Sequence, residues 1–354
     1  MRMMSIPLIV VCTWMFFYVI WRLFVIFGND SKLIPLIISI ILAILVMWTF
    51  MYQWESKIID IIWTIGSRIF VLWFLLLVML LIVHAISYVR RPINPWIILW
   101  VIILILWTWA YCSLHTSIKE LNIQSDKIQK DTKILLVSDI HVENVTQDFH
   151  VKKIIKTIEK EKPDFVIIAG DLMNKPNNSY VGYFSAFKSV KDTPIFAVKW
   201  NHDIMWNGTI VNNIPKNSGI VFLDNAVTQN DLLNIQIAGI ADKSAWWSNS
   251  LDDIMNQVEF DQNSDDLFTI LVTHQPIWLE KLKDYPVDLE VAWHTHRGQF
   301  YWIMEISRIV NDYLYWEYKL WDRTAFVTQW IWTWWLPFRL WTQSEMVLIN
   351  LIKK

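Results

Sequence analysis

The sequence predicts two regions in series. An apolar all-α region of about four helices covers residues 1–115, a linker covers 116–132, and a layered α/β domain covers 133–354. Three observations carry this. The first 113 residues are almost all apolar. From Lys133 onward, short apolar runs alternate with stretches of helical spacing. Late in the chain the apolar runs follow one another closely, which points to two packed sheets instead of one doubly wound sheet.

The apolar region contains four runs: Ile6–Phe27, Leu33–Tyr52, Ile69–Val89 and Ile93–Ser113. Each approaches the roughly 20 residues a helix needs to cross about 30 Å of hydrocarbon. Charges gather between them, at Asp30 and Lys32, from Glu55 to Arg68, and at Arg90 and Arg91. The repetition argues against a cleaved signal peptide, which has one short apolar run. The expectation is a multi-pass anchor in a lipid bilayer. With four spans, Arg2, Lys57, Arg68, Lys119, Lys127 and Lys130 share one side, and Lys32, Arg90 and Arg91 the other. The excess of basic residues puts the second domain on the cytoplasmic side. Arg22 and His84 fall inside spans, where snorkelling or helix pairing accounts for Arg22.

The linker Thr116–Thr132 is polar and reads as an irregular or amphipathic connector. Strands are then expected at 133–138, 165–169, 194–198, 219–223, 233–239, 267–273, 288–292, 324–329 and 345–351. Helices are expected at 149–161, 179–190 and near 276–284. Pro163 stops the first of these helices.

Composition narrows the function. Hydrophobic residues reach 55% and charged residues 18%, and the formal net charge is -2, so nothing points to a nucleic-acid partner. Cys12 and Cys112 lie in apolar stretches, which excludes a disulfide framework. One ratio is abnormal. The chain has 24 Trp but 8 Gly, about 2% Gly against a usual share of about 7%.

Polar residues with metal-ligand chemistry follow the expected strands: Asp139 and His141, Asp171, Asn201 beside His202, His274, then His294 and His296. In α/β sheets, ligands gather beyond the carboxyl ends of strands. If the segment after the first strand is extended, Asp139 and His141 face the same way and reach one ion. Asp171 has two oxygens and can bridge two cations. Mixed nitrogen and oxygen donors suit Mn, Fe or Zn better than Ca or Mg. Two such ions about 3.5–4 Å apart clamp a phosphoryl group and activate water. His202, beside a ligand, is the candidate catalytic acid for the leaving alkoxide, with Asp203 able to orient its ring. His150 reads as a surface residue at a helix start, and His115 as a residue of the membrane exit.

The pieces VSDIH (137–141), AGDL (169–172), WNHD (200–203), VTHQP (272–276) and WHTHRGQ (293–299) resemble a calcineurin-like metallophosphoesterase, in the membrane-anchored bacterial branch. The resemblance implies a four-layer α/β/β/α sandwich after the transmembrane helices. It implies a first metal on Asp139, His141, Asp171 and His296, and a second on Asp171, Asn201, His274 and His294. It also implies a small-molecule or lipid phosphoester substrate, since some relatives act on lipid-linked or envelope phosphoesters. The family motifs carry glycine where this chain has Trp200, Trp293 and Arg297. The tail 315–341 matches better if Trp316, Trp321, Trp330, Trp332, Trp335 and Trp341 were glycine. The expectation is that the gene reads UGA as glycine and was translated here as tryptophan. Taken literally, the tryptophans favour an alternative, a non-catalytic membrane sensor or scaffold with a degenerate phosphoesterase domain. A transporter would rest on Arg22 and His84 alone.

Overall fold

Strands made wholly of apolar residues need cover on both faces, and the second half of the chain supplies it with a second sheet and with helices. The computed structural model describes residues 5–26, 28–51, 57–89, 94–143, 148–174, 177–199, 203, 209–240, 251–261, 265–273, 275–277, 279–292, 315–328, 331 and 343–354. The chain divides into two compact units, one built on Met1–Tyr111 and the other on Cys112–Thr333 with Trp341–Lys354.

Among the described residues the first unit is built from four helices, α1 (Ser5–Ile26), α2 (Leu33–Met51), α3 (Lys57–Val89) and α4 (Pro95–Leu114), the last of which runs on past Tyr111. α3 starts well ahead of the expected Ile69, so Lys57–Arg68 is helical, not a loop. Phe16 packs edge-on against Trp73, and Cys12, Phe16 and Ala43 form a small core. Among the described residues no helix is long and apolar enough to cross a membrane.

The second unit holds two six-stranded sheets. Its strands are β1 (Thr116–Ser125), β2 (Thr132–Val137), β3 (Phe165–Ile168), β4 (Ile195–Ala197), β5 (Val221–Phe222), β6 (Ala226–Asn230), β7 (Ile235–Gly239), β8 (Phe268–Val272), β9 (Leu289–Ala292), β10 (Trp316–Leu320), β11 (Arg323–Val327) and β12 (Ser344–Lys353). One sheet runs β1-β12-β2-β3-β4-β5 and the other β10-β11-β9-β8-β7-β6. β2 through β5 are parallel, as are β7, β8, β9 and β11.

Strand alternation sorts these apolar residues into three layers. Leu135 and Val137 of β2 join Val166 and Ile168 of β3 under α5 (Phe149–Glu161), whose Val151, Ile154 and Ile158 are buried there. Ile134 and Leu136 point the other way, to Ile237, Ile270, Val291 and Phe326 of the second sheet. Leu271 and Ala325 cover the far face with Met255, Leu279 and Leu282 from short helices. The order is helix, sheet, sheet, helix.

Two expectations are corrected. The supposed linker holds β1, which pairs with β12 in parallel from Thr116 to Ser125. β1 is an edge strand with half of its residues exposed, so its composition resembles a connector. His150 is buried, not on the surface, with its ring edge-on to Phe149.

Candidate metal centre

β2 and β3 end in register, and their pairing continues irregularly into the two segments that follow. The Asp139 N–H donates to Gly170 O at 3.2 Å, His141 N–H to Asp171 O at 3.0 Å, and Val142 N–H to Leu172 O at 2.9 Å. Val142 and Met173 then form a parallel bridge. The two ligand segments are thereby laced side by side.

The backbone there is not extended. Asp139, His141 and Asp171 have φ of 47°, 43° and 48°, and Gly170 has 95°. Alternation along an extended chain therefore does not explain how Asp139 and His141 come together. Left-handed residues do, at a cost of order 1–3 kcal/mol each. Asp and His tolerate this region better than most side chains. The result is a tight cluster in which one ligand atom from each residue lies within 4.8 Å of the others. His141 Nε2 is 3.1 Å from Asp139 Oδ1 and 3.6 Å from Asp171 Oδ2. All three side chains are buried.

Burial pushes the His141 imidazole down to about 3, which leaves it a neutral donor at physiological pH. The adjacent carboxylates pull the other way, toward imidazolium. Two buried carboxylates so close together repel unless a cation lies between them. Mixed oxygen and nitrogen donors in this state fit a divalent transition metal.

Other segments are tied to the cluster. Asp203 is fully buried, and its Oδ1 accepts the Met173 N–H at 3.1 Å. It joins the segment after β4 to the one after β3. Thr328, just past β11, donates to Ala292 O at 3.0 Å, and three residues on Ile331 donates to Ser138 O at 3.2 Å. Three residues span about 10 Å at most, so the carboxyl ends of the two sheets meet. β8 ends two residues before His274, and β9 two residues before His294. Asn201, His202, His274, His294 and His296 themselves lie outside the described residues, as do Trp200, Trp293 and Arg297.

Residues 132–298 match the family model described as calcineurin-like phosphoesterase. This segment belongs to that family. The phosphoesterase domain is similar to an uncharacterized metallophosphoesterase of Helicobacter pylori, 28% identical over 241 residues, 67% of this chain and 64% of that one. The metallophosphoesterase YkuE of Bacillus subtilis is 30% identical over 177 residues, 47% of this chain and 59% of that protein. The phosphodiesterase YaeI of Escherichia coli is 25% identical over 177 residues, 47% of this chain and 61% of that one. The chain thus spans less than two thirds of the length of these relatives.

One feature of the phosphoesterase domain escaped the reading of motifs. Glu290, in the apolar strand Leu289–Ala292, is fully buried and accepts from Thr273 and Ile277, which flank His274 in sequence. A charged residue inside a buried strand was the available signal.

Proposed function

We propose that the chain is a membrane-anchored, metal-dependent phosphoesterase that hydrolyses a phosphomonoester or phosphodiester. The observation that carries this reading is the buried Asp139, His141 and Asp171 cluster at the meeting carboxyl ends of the two sheets. Two divalent ions, Mn, Fe or Zn, would supply Lewis acidity and lower the pKa of water. Asp139 and His141 would hold the first, and Asp171 both. Asn201, His274 and His294 would complete the second, and His296 the first. His202 would give its proton to the departing alkoxide, a role worth typically 10²–10⁴ in rate. One oxygen of Asp203 accepts the Met173 N–H, and the residue would also orient the His202 ring. Metal analysis of purified full-length protein separates this reading from a non-catalytic scaffold. About two ions per chain are expected, and none would favour the scaffold.

The anchor rests on the four apolar runs of the sequence, each near the roughly 20 residues a spanning helix needs, while among the described residues no helix is long and apolar enough to cross a membrane. Val11, Trp14, Leu33, Ile41, Trp100 and Trp107 turn outward on these helices, which suits lipid better than water. The basic residues favour a cytoplasmic phosphoesterase domain, for which a lipid-linked phosphoester of the cytoplasmic leaflet would be the fitting substrate, whereas an envelope phosphoester would need the domain on the other side.

The tryptophans bear on whether the pocket is open. Trp316 and Trp321 are the described tryptophans beyond residue 112, and their φ values are 79° and 57°. For a bulky residue this region is a genuine outlier, and glycine enters it freely. Trp321 opens the two-residue turn between Leu320 and Arg323, and Asp322 beside it is not left-handed. Left-handed backbone at the first central position alone is the type II′ pattern, which takes glycine there. Both positions therefore support glycine as the native residue, and with it glycine at 200 and 293. Peptide mass spectrometry of protein from its own host tests this. Glycine masses are expected at 316 and 321, and tryptophan masses would end the idea.

A further inference from the structure

We propose that Glu290 is a positioning residue for the metal centre, acting through Thr273 and Ile277, which flank His274 in sequence. Its Oε1 accepts the Thr273 hydroxyl at 3.2 Å and also accepts the Ile277 N–H. The same hydroxyl lies 3.0 Å from Gln275 O. One carboxylate oxygen thus holds a residue on each side of position 274, and the Thr273 proton is shared between Glu290 Oε1 and Gln275 O.

The placement of Glu290 argues for a dedicated role. In register it sits between Leu271 of β8 and Ala325 of β11, and both belong to the apolar layer on that face. Burying a carboxylate among such residues costs several kcal/mol unless donors compensate. An apolar side chain would pack there without that cost. Thr273 and Ile277, on either side of His274 in sequence, supply such donors. Groups behind a metal ligand typically change metal affinity by 10- to 100-fold when removed. The inference rests on the proposed assignment of His274 to the second metal.

Manganese binding to metal-free full-length protein in detergent tests it, with Glu290→Ala, Glu290→Gln, Thr273→Val and His274→Ala compared with the unaltered chain. Glu290→Ala is expected to weaken the second ion by 10- to 100-fold while the first binds as before. Glu290→Gln keeps an acceptor oxygen and is expected to restore most of that affinity. Thr273→Val should give a smaller loss of the same kind, and decides the matter if Glu290→Ala does not fold. Unaltered affinity in Glu290→Ala and Thr273→Val, with the second ion lost in His274→Ala, would overturn the role of Glu290. Retention of both ions in His274→Ala would instead overturn the assignment of His274.

Discussion

Asp139, His141 and Asp171 each hold a left-handed backbone, and each is buried. Backbone strain of this kind persists where the surrounding structure over-determines it, here through the paired segments after β2 and β3. His141 gives the cluster a pH signature in the metal-free protein. Its folded pKa is about 3, and on unfolding the ring returns to about 6.5. Between those values the unfolded chain binds a proton that the folded chain does not, so stability rises with pH across that window. Denaturant titrations from pH 3 to pH 7 should show this rise, and His141→Asn should flatten it. An equal slope in both proteins would contradict the burial argument. At Trp321, with an exposed ring and positive φ, Trp321→Gly should stabilise recombinant protein by roughly 1–3 kcal/mol. Thermal melts check this, and an unchanged or lower melting temperature would contradict it.

At the scale of elements, the buried strands were legible because they are apolar runs ended by polar residues. β2, β3, β8 and β9 fall within about a residue of expectation, and α5 matches 149–161. β1 and β6 were not legible, since edge strands with polar, partly exposed residues lack that contrast. The same limit applied to the site. Asp139, His141 and Asp171 stood out in sequence, but their left-handed backbone did not, because a turn of that kind is set by neighbouring strands. Gly239, at the end of β7, lies against Leu223 and Val198. A Cβ there would clash with Leu223 O and meet Val198 Cγ1 at 2.8 Å. Gly239→Ala should therefore destabilise the protein by about 1–3 kcal/mol, as overpacking does. A melt within error of the unaltered chain would mean that the end of β7 yields easily.

For the whole molecule, four long apolar helices and a phosphoesterase domain share one chain. If the helices are an anchor, the full-length protein should stay in the membrane pellet after alkaline carbonate washing, and its release into the supernatant would contradict anchoring. The central claim is metal-dependent phosphoester hydrolysis at the Asp139, His141 and Asp171 cluster. Turnover of a chromogenic phosphodiester by manganese-loaded full-length protein tests it most directly, with glycine installed at 200 and 293 if the native residues are glycine. Asp171→Ala and His202→Ala should each remove most of the activity, with His202→Ala costing on the order of 10²–10⁴. Undiminished turnover in both variants would contradict the account.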